Sequence, residues 1–354
     1  NTISGSFQIN SLGGGGIVMI RTQGNSVGLS QSFIRNNDFS NLLVNATGNY
    51  NYTGIEDFEG NNNIIGCPTK RITGNVFSNW SGGKGDQLIM LTGQFGSVAG
   101  PAPADSVTAN RIENINTEDG FLYGLIVGYI NQMDANIVSV SENIINGLHS
   151  QLNGGDVAGI LLGTTANATA YIEISDNRIS DLQSDANIAM VAGVMDISQN
   201  GLKKISKNRI YNLSGSGTGA EVNAIRIISS SEASVYNNLI AGLNAPQSNS
   251  STLPAISGIY IADAITASVY NNTVYLSASG VSPNFSSAAI YSNVLTNTNC
   301  TNNIFNNLSV PGSNGRSVAF WREDANLSNY SGNYNSFYAG VPSTGRLLFF
   351  DGTN

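Results

Sequence analysis

Val269-Tyr270-Asn271-Asn272-Thr273-Val274-Tyr275-Leu276 decides the fold, because variants of this stretch return about every 33 residues from one end of the chain to the other. Aligning on one Asn per repeat gives Asn37, Asn75, Asn110, Asn143, Asn177, Asn208, Asn238, Asn272, Asn303 and Asn333. Ser6 takes the same slot in a first, degenerate turn. A fixed period of this length is the signature of a solenoid, in which each repeat buries its apolar face only by stacking on its neighbours.

Working outward from the anchor Asn, the faces can be assigned. Three residues before it stand Ile34, Ile72, Val107, Val140, Ile174, Ile205, Val235, Val269, Cys300 and Tyr330. Two after it come Phe39, Phe77, Ile112, Ile145, Ile179, Ile210, Ile240, Val274 and Phe305, a series that Asn335 breaks. Five after it lie Leu42, Trp80, Ile115, Leu148, Leu182, Leu213, Leu243 and Leu308. Polar residues such as Ser175 and Ser206 alternate with them, which is the pattern of half-buried strands. A further apolar run upstream, such as Ile225 to Ile228 or Ile259 to Ile261, often follows Gly or Ala. Each repeat therefore reads as strand, turn, strand, Asn corner, third strand and a loop of variable length. The expected fold is all-β: a single parallel β-helix domain over residues 1–354, with about ten to eleven coils of three short strands. The anchor Asn is expected to accept the left-handed backbone of the corner and to hydrogen-bond its copy in the next coil.

Composition narrows the function. Charged residues make up 11% of the chain, well below the globular average of about 25%. With net charge −8 and only 15 Lys plus Arg, no basic stripe suited to nucleic acid is visible. The densest basic patch, Lys203, Lys204, Lys207 and Arg209, reads as a solvated strand edge. The longest apolar run, Phe121 to Ile130, is too short to span a bilayer. Cys67 and Cys300 lie seven repeats apart, too far in stacked coils for a disulfide, and read as core thiols. The chain starts at Asn1 without Met and is taken as a piece of something longer, with flanking sequence or a protein partner expected to cover both rod ends.

Ser234-Val-Tyr-Asn-Asn-Leu-Ile-Ala-Gly-Leu243 and Ser268 to Leu276, preceded by Gly258-Ile-Tyr-Ile261, resemble the right-handed parallel β-helix repeats of pectate-lyase-like proteins. They are most similar to Asn-rich repeats of large secreted or cell-surface Bacteroidetes proteins. That resemblance implies a right-handed coil and a secreted or outer-surface location. It leaves function open, since lyases, hydrolases and adhesins share this fold. Asp105-Ser106-Val107 resembles a short O-glycosylation acceptor motif of the same group.

Two functional expectations follow. A non-catalytic stalk or adhesin would bind an extracellular glycan or surface ligand through outward aromatics, with Tyr260 and Tyr291 on adjacent turns of the first strand and Tyr236 and Tyr270 on adjacent turns of the second. The alternative is a polysaccharide lyase or glycoside hydrolase. A hydrolase needs two carboxylates on one groove. A lyase would use Ca²⁺ held by several carboxylates and a Lys or Arg base, and only in that case is a cofactor expected. Asp176, Lys207 and Arg209 come nearest to such a set. The sole histidine, His149, reads as a surface residue in a loop-like setting.

Overall fold

The computed structural model describes residues 2–9, 15–24, 31–46, 50–59, 69–82, 87–94, 105–128, 137–163, 171–199, 201–228, 232–264, 266–293, 296–323 and 329–352. Within one coil, Leu202–Ser206 enters the Asn corner, Arg209–Gly215 leaves it and Glu221–Ile228 forms a back strand. One coil later the same roles fall to Glu232–Tyr236, Leu239–Asn244 and Ile256–Ala262, each pairing in parallel with its predecessor. Among the described residues the entry strands form a ten-stranded sheet, and the exit and back strands together form a twenty-stranded one.

The chain is thus a parallel β-solenoid. Eight coils have three separate strands, and in two more the exit and back strands run together as Arg111–Gly128 and Ile144–Leu162. Of the ten to eleven coils of three short strands expected, eight have that form among the described residues. Ser6 does not occupy a corner: it pairs with Leu43, midway along an exit strand.

The inward columns carry the core. Ile174, Ile205, Val235 and Val269 before the corner, and Ile179, Ile210, Ile240 and Val274 after it, are fully buried. Burying a side chain of this size is worth roughly 1.5–3 kcal/mol, so the stacked columns supply most of the cohesion between coils. Strict alternation would turn the fifth residue after the anchor outward. It points inward in the earlier coils because the fourth residue adopts a left-handed backbone: Asn41, Asn79, Asn114, Gly147, Asp181, Asn212 and Gly242 all have positive φ. The coils of Asn272 and Asn303 lack that kink. There Leu276 and Asn307, the fourth residues, are buried, and Leu308 is only half-buried, contrary to its expected inward place.

The small residues within the back strands have a packing reason. A Cβ on Gly159 would lie 2.7 Å from Ile179 Cγ2, and one on Gly193 would lie 2.5 Å from Ile210 Cγ2. The apolar residue two past the next anchor fills that space, so only Gly, or Ala as at Ala224, is tolerated.

Candidate functional site along the asparagine corner

The anchor asparagines form one continuous buried ladder. Asn208 donates from its backbone N and its Nδ2 to Oδ1 of Asn238, each at 3.0 Å, and from Nδ2 to the carbonyl of Ile174 in the preceding coil. Asn177 does the same to Asn208, and Asn238 to Asn272. The series ends at Asn335, not Asn333: Asn303 donates to Asn335 Oδ1, with Phe337 two residues further on and paired with Phe305. Asn333 is exposed, and Gly332 takes the place across from Cys300 that Tyr330 was expected to hold.

The left-handed residue of each corner is the one before the ladder Asn, which corrects the expectation that a single Asn does both jobs. Asn36, Gly74, Ala109, Glu142, Asp176, Lys207, Asn237, Asn271, Asn302 and Tyr334 all have φ between 54° and 65°. The ladder Asn keeps its amide inside for hydrogen bonding. Its left-handed neighbour is thereby turned to solvent, and among the described residues a row of nine outward side chains, with Gly74 as the tenth position, runs along the corner.

Two depressions open on this row. One, of about 560 Å³, is lined by Ser268, Tyr270, Asn271, Asn299, Thr301, Asn302 and Tyr334. The Tyr270 ring stacks on Tyr236 of the preceding coil, with centroids 4.8 Å apart and planes within 3°. Asn302 Nδ2 donates to Asn271 Oδ1 at 2.7 Å, so the amides on the rim are themselves ordered. The other depression, of about 540 Å³, is lined by Asp176, Asn177, Arg178, Lys207, Asn208, Arg209, Asn237 and Leu239. It brings together Asp176, Lys207 and Arg209, the set singled out from sequence, and adds Arg178.

The basic patch is not a strand edge. The strand holding Lys203 and Lys204 is paired on both sides, as is the one holding Arg209. Lys203 points into the core at 1% exposure, 3.9 Å from the fully buried Asp196. Burial lowers its ammonium pKa, and the Asp196 carboxylate opposes that shift. Lys204 faces outward and lies over the Tyr171 ring. His149 sits in a strand, not a loop, half-buried with its Nε2 2.8 Å from Asp185 Oδ2. Partial burial pushes the Asp185 carboxyl up, but hydrogen bonds from Gln183, His149 and Ser216 outweigh it and hold the group below its ordinary value.

Tyr260 and Tyr291 face away from the core, as the alternation requires, yet they are 6% and 1% exposed. They stack at 4.5 Å, with Arg226 over Tyr260 and Trp321 beside Tyr291 in the next coil. Leu253, from the loop before the back strand, packs on the same cluster. Burial raises the phenol pKa of both. Asp105, the first residue of the Asp105-Ser106-Val107 motif, is buried and accepts a hydrogen bond from the Lys70 backbone N at 2.7 Å. Cys300 is a buried free thiol pushed up to about 12 by burial, while Cys67 lies outside the described residues.

Among the described residues no helix is long and apolar enough to cross a membrane, and no group of three or more His, Cys, Asp or Glu is placed to share a metal ion. No protein-family model matches the sequence, and no curated protein or solved structure matches it either.

Proposed function

We propose that this chain is a non-catalytic secreted or cell-surface rod that binds a glycan along its asparagine corner. The observation that carries the reading is the parallel Tyr236–Tyr270 stack beside an open depression rimmed by hydroxyls and side-chain amides. The Tyr270 face turned away from Tyr236 borders the depression and suits the apolar face of a sugar ring, and the surrounding Ser, Thr and Asn groups suit its hydroxyls. A composition poor in charge and rich in Asn, Ser, Thr and Gly fits an extracellular module, as does the resemblance of its repeats to surface proteins. The rigid ladder beneath would hold the rings in place without ordering cost on binding.

Catalysis is less well supported by the corner. The depression around Asp176 is lined by one carboxylate, where a hydrolase would need two and a calcium-dependent lyase several. The test is affinity electrophoresis of wild type and Tyr270→Ala through gels containing neutral polysaccharides. Retardation by at least one polymer, reduced about tenfold in affinity by Tyr270→Ala, is the expected result. Unchanged retardation in the variant would remove the tyrosine reading, and release of unsaturated or reducing sugar would favour the enzyme.

A further inference from the structure

The second depression has a different chemistry. Arg178 and Arg209 stand directly opposite one another on adjacent exit strands, both exposed, and like charges so placed repel. Arg178 finds partial relief by donating from Nε to the Tyr211 hydroxyl at 2.6 Å and lying over the Tyr211 ring. Lys207, beside them, adopts a φ of 55° where Asn or Gly would be less strained, and the next three coils do place Asn there. None of the three cations forms an ion pair with a described carboxylate. A chain of net charge −8 thus gathers three unpaired cations around one open depression that holds a single carboxylate, Asp176. Edge protection does not explain them, because the strands that carry Arg178 and Arg209 are each paired on both sides.

We infer that this depression, formed by Arg178, Lys207 and Arg209, is an anion-binding site that takes the carboxylate or sulfate groups of an acidic glycan. The guanidinium fork matches both oxyanions in bidentate geometry, and two forks one coil apart suit charges repeated along a polymer. Leu239 and the Asn237 amide extend the site along the corner row towards the neutral depression at Tyr270. The polymer's being a glycan rests on the function proposed above; the attraction for anions does not.

The test measures binding of polygalacturonate, dextran sulfate and neutral dextran to immobilised wild-type protein at low and raised salt, alongside Lys207→Asn, Arg209→Gln and Tyr270→Ala. Lys207→Asn suits the left-handed backbone, so its fold is preserved. At low salt the wild type is expected to bind an acidic polymer, with affinity falling steeply as salt rises and falling about tenfold in each of the two charge variants. Preference for polygalacturonate would assign a carboxylate, and preference for dextran sulfate a sulfate. Absence of binding to either acidic polymer, or binding unchanged in both charge variants, would overturn the inference. Loss of acidic binding in the charge variants with dextran and Tyr270→Ala inert would uphold the anion site and sink the tyrosine reading instead.

Discussion

Two tyrosine pairs look alike in sequence and differ in the folded rod. Tyr236 with Tyr270 and Tyr260 with Tyr291 each sit one coil apart, each directly after an inward aliphatic residue, and each stack ring on ring. The first pair is half-buried on the entry sheet, flanked by Ser234 and Ser268 and followed by Thr301. The second lies on the back sheet among Ala288, Val318, Trp321 and Leu253, and is closed off. Alternation decides whether a side chain leaves the core. Whether it then meets solvent depends on the neighbouring columns, which are small and polar on the entry sheet and apolar on the back.

The sharpest way to break this comparison is to remove the support under the open pair. Asn238→Leu removes four hydrogen bonds, those from Asn208 N and Nδ2 to the Asn238 Oδ1 and those from the Asn238 Nδ2 to the Ile205 carbonyl and the Asn272 Oδ1, while Asn208 Nδ2 keeps the Ile174 carbonyl and Asn272 Oδ1 keeps the backbone N of residue 238. At roughly 0.5–1.5 kcal/mol for each bond lost, and more where a buried group such as the Asn208 N is left unpaired, a loss on the order of 4 kcal/mol is expected in urea unfolding. A loss below about 1 kcal/mol would mean that the ladder does not hold the corner.

Next comes the contrast between the pairs. Tyr291→Ala should cost about 3–5 kcal/mol, as for other buried aromatics. Tyr270→Ala should cost only about 0.5–1.5 kcal/mol, the scale of a stacked pair. Equal losses would erase the distinction.

Alkaline titration separates the pairs more gently. The Tyr260 and Tyr291 phenols are raised by burial, so the folded state keeps protons that the unfolded chain gives up. Their contribution is fully present below the unfolded value of about 10 and is lost as pH rises towards the folded values. Unfolding followed from neutral to strongly basic pH should show stability falling above about pH 10, with less of that fall in Tyr291→Phe. A profile identical in the variant would contradict the buried assignment. The smallest effect expected is a gain of up to about 1 kcal/mol for Lys207→Asn, from relief of its left-handed backbone.

Much of the fold was legible because the core obeys a strict register. Nine of the ten ladder positions followed from apolar residues at −3 and +2, and only the last was misplaced. Asn333 and Asn335 both fit the spacing, and Tyr330 looked like the inward residue; Phe337, restoring the +2 series, was the signal for Asn335. Lys203 was readable in the same way, since it occupies the column of Ile172 and Ala233, five residues before the anchor. The division of labour between the ladder Asn and its left-handed neighbour was written in Asn237-Asn238 and Asn271-Asn272, but Glu142 and Lys207 disguised it. What spacing could not give was lateral packing. The cover over Tyr260 and Tyr291 comes from adjacent columns and from a loop whose length follows no period, and Arg178 joined the site only once the coils were in register.

The most direct test of the corner as the binding edge is tyrosine nitration of the free protein, resolved by residue with mass spectrometry, and repeated with a polysaccharide that retards the wild type. The account predicts that Tyr236, Tyr270 and the exposed Tyr334 react in the free protein and are protected by the polymer, while Tyr260 and Tyr291 stay unmodified throughout. Reaction of Tyr260 and Tyr291 at the rate of Tyr270, or protection confined to the back sheet, would contradict it.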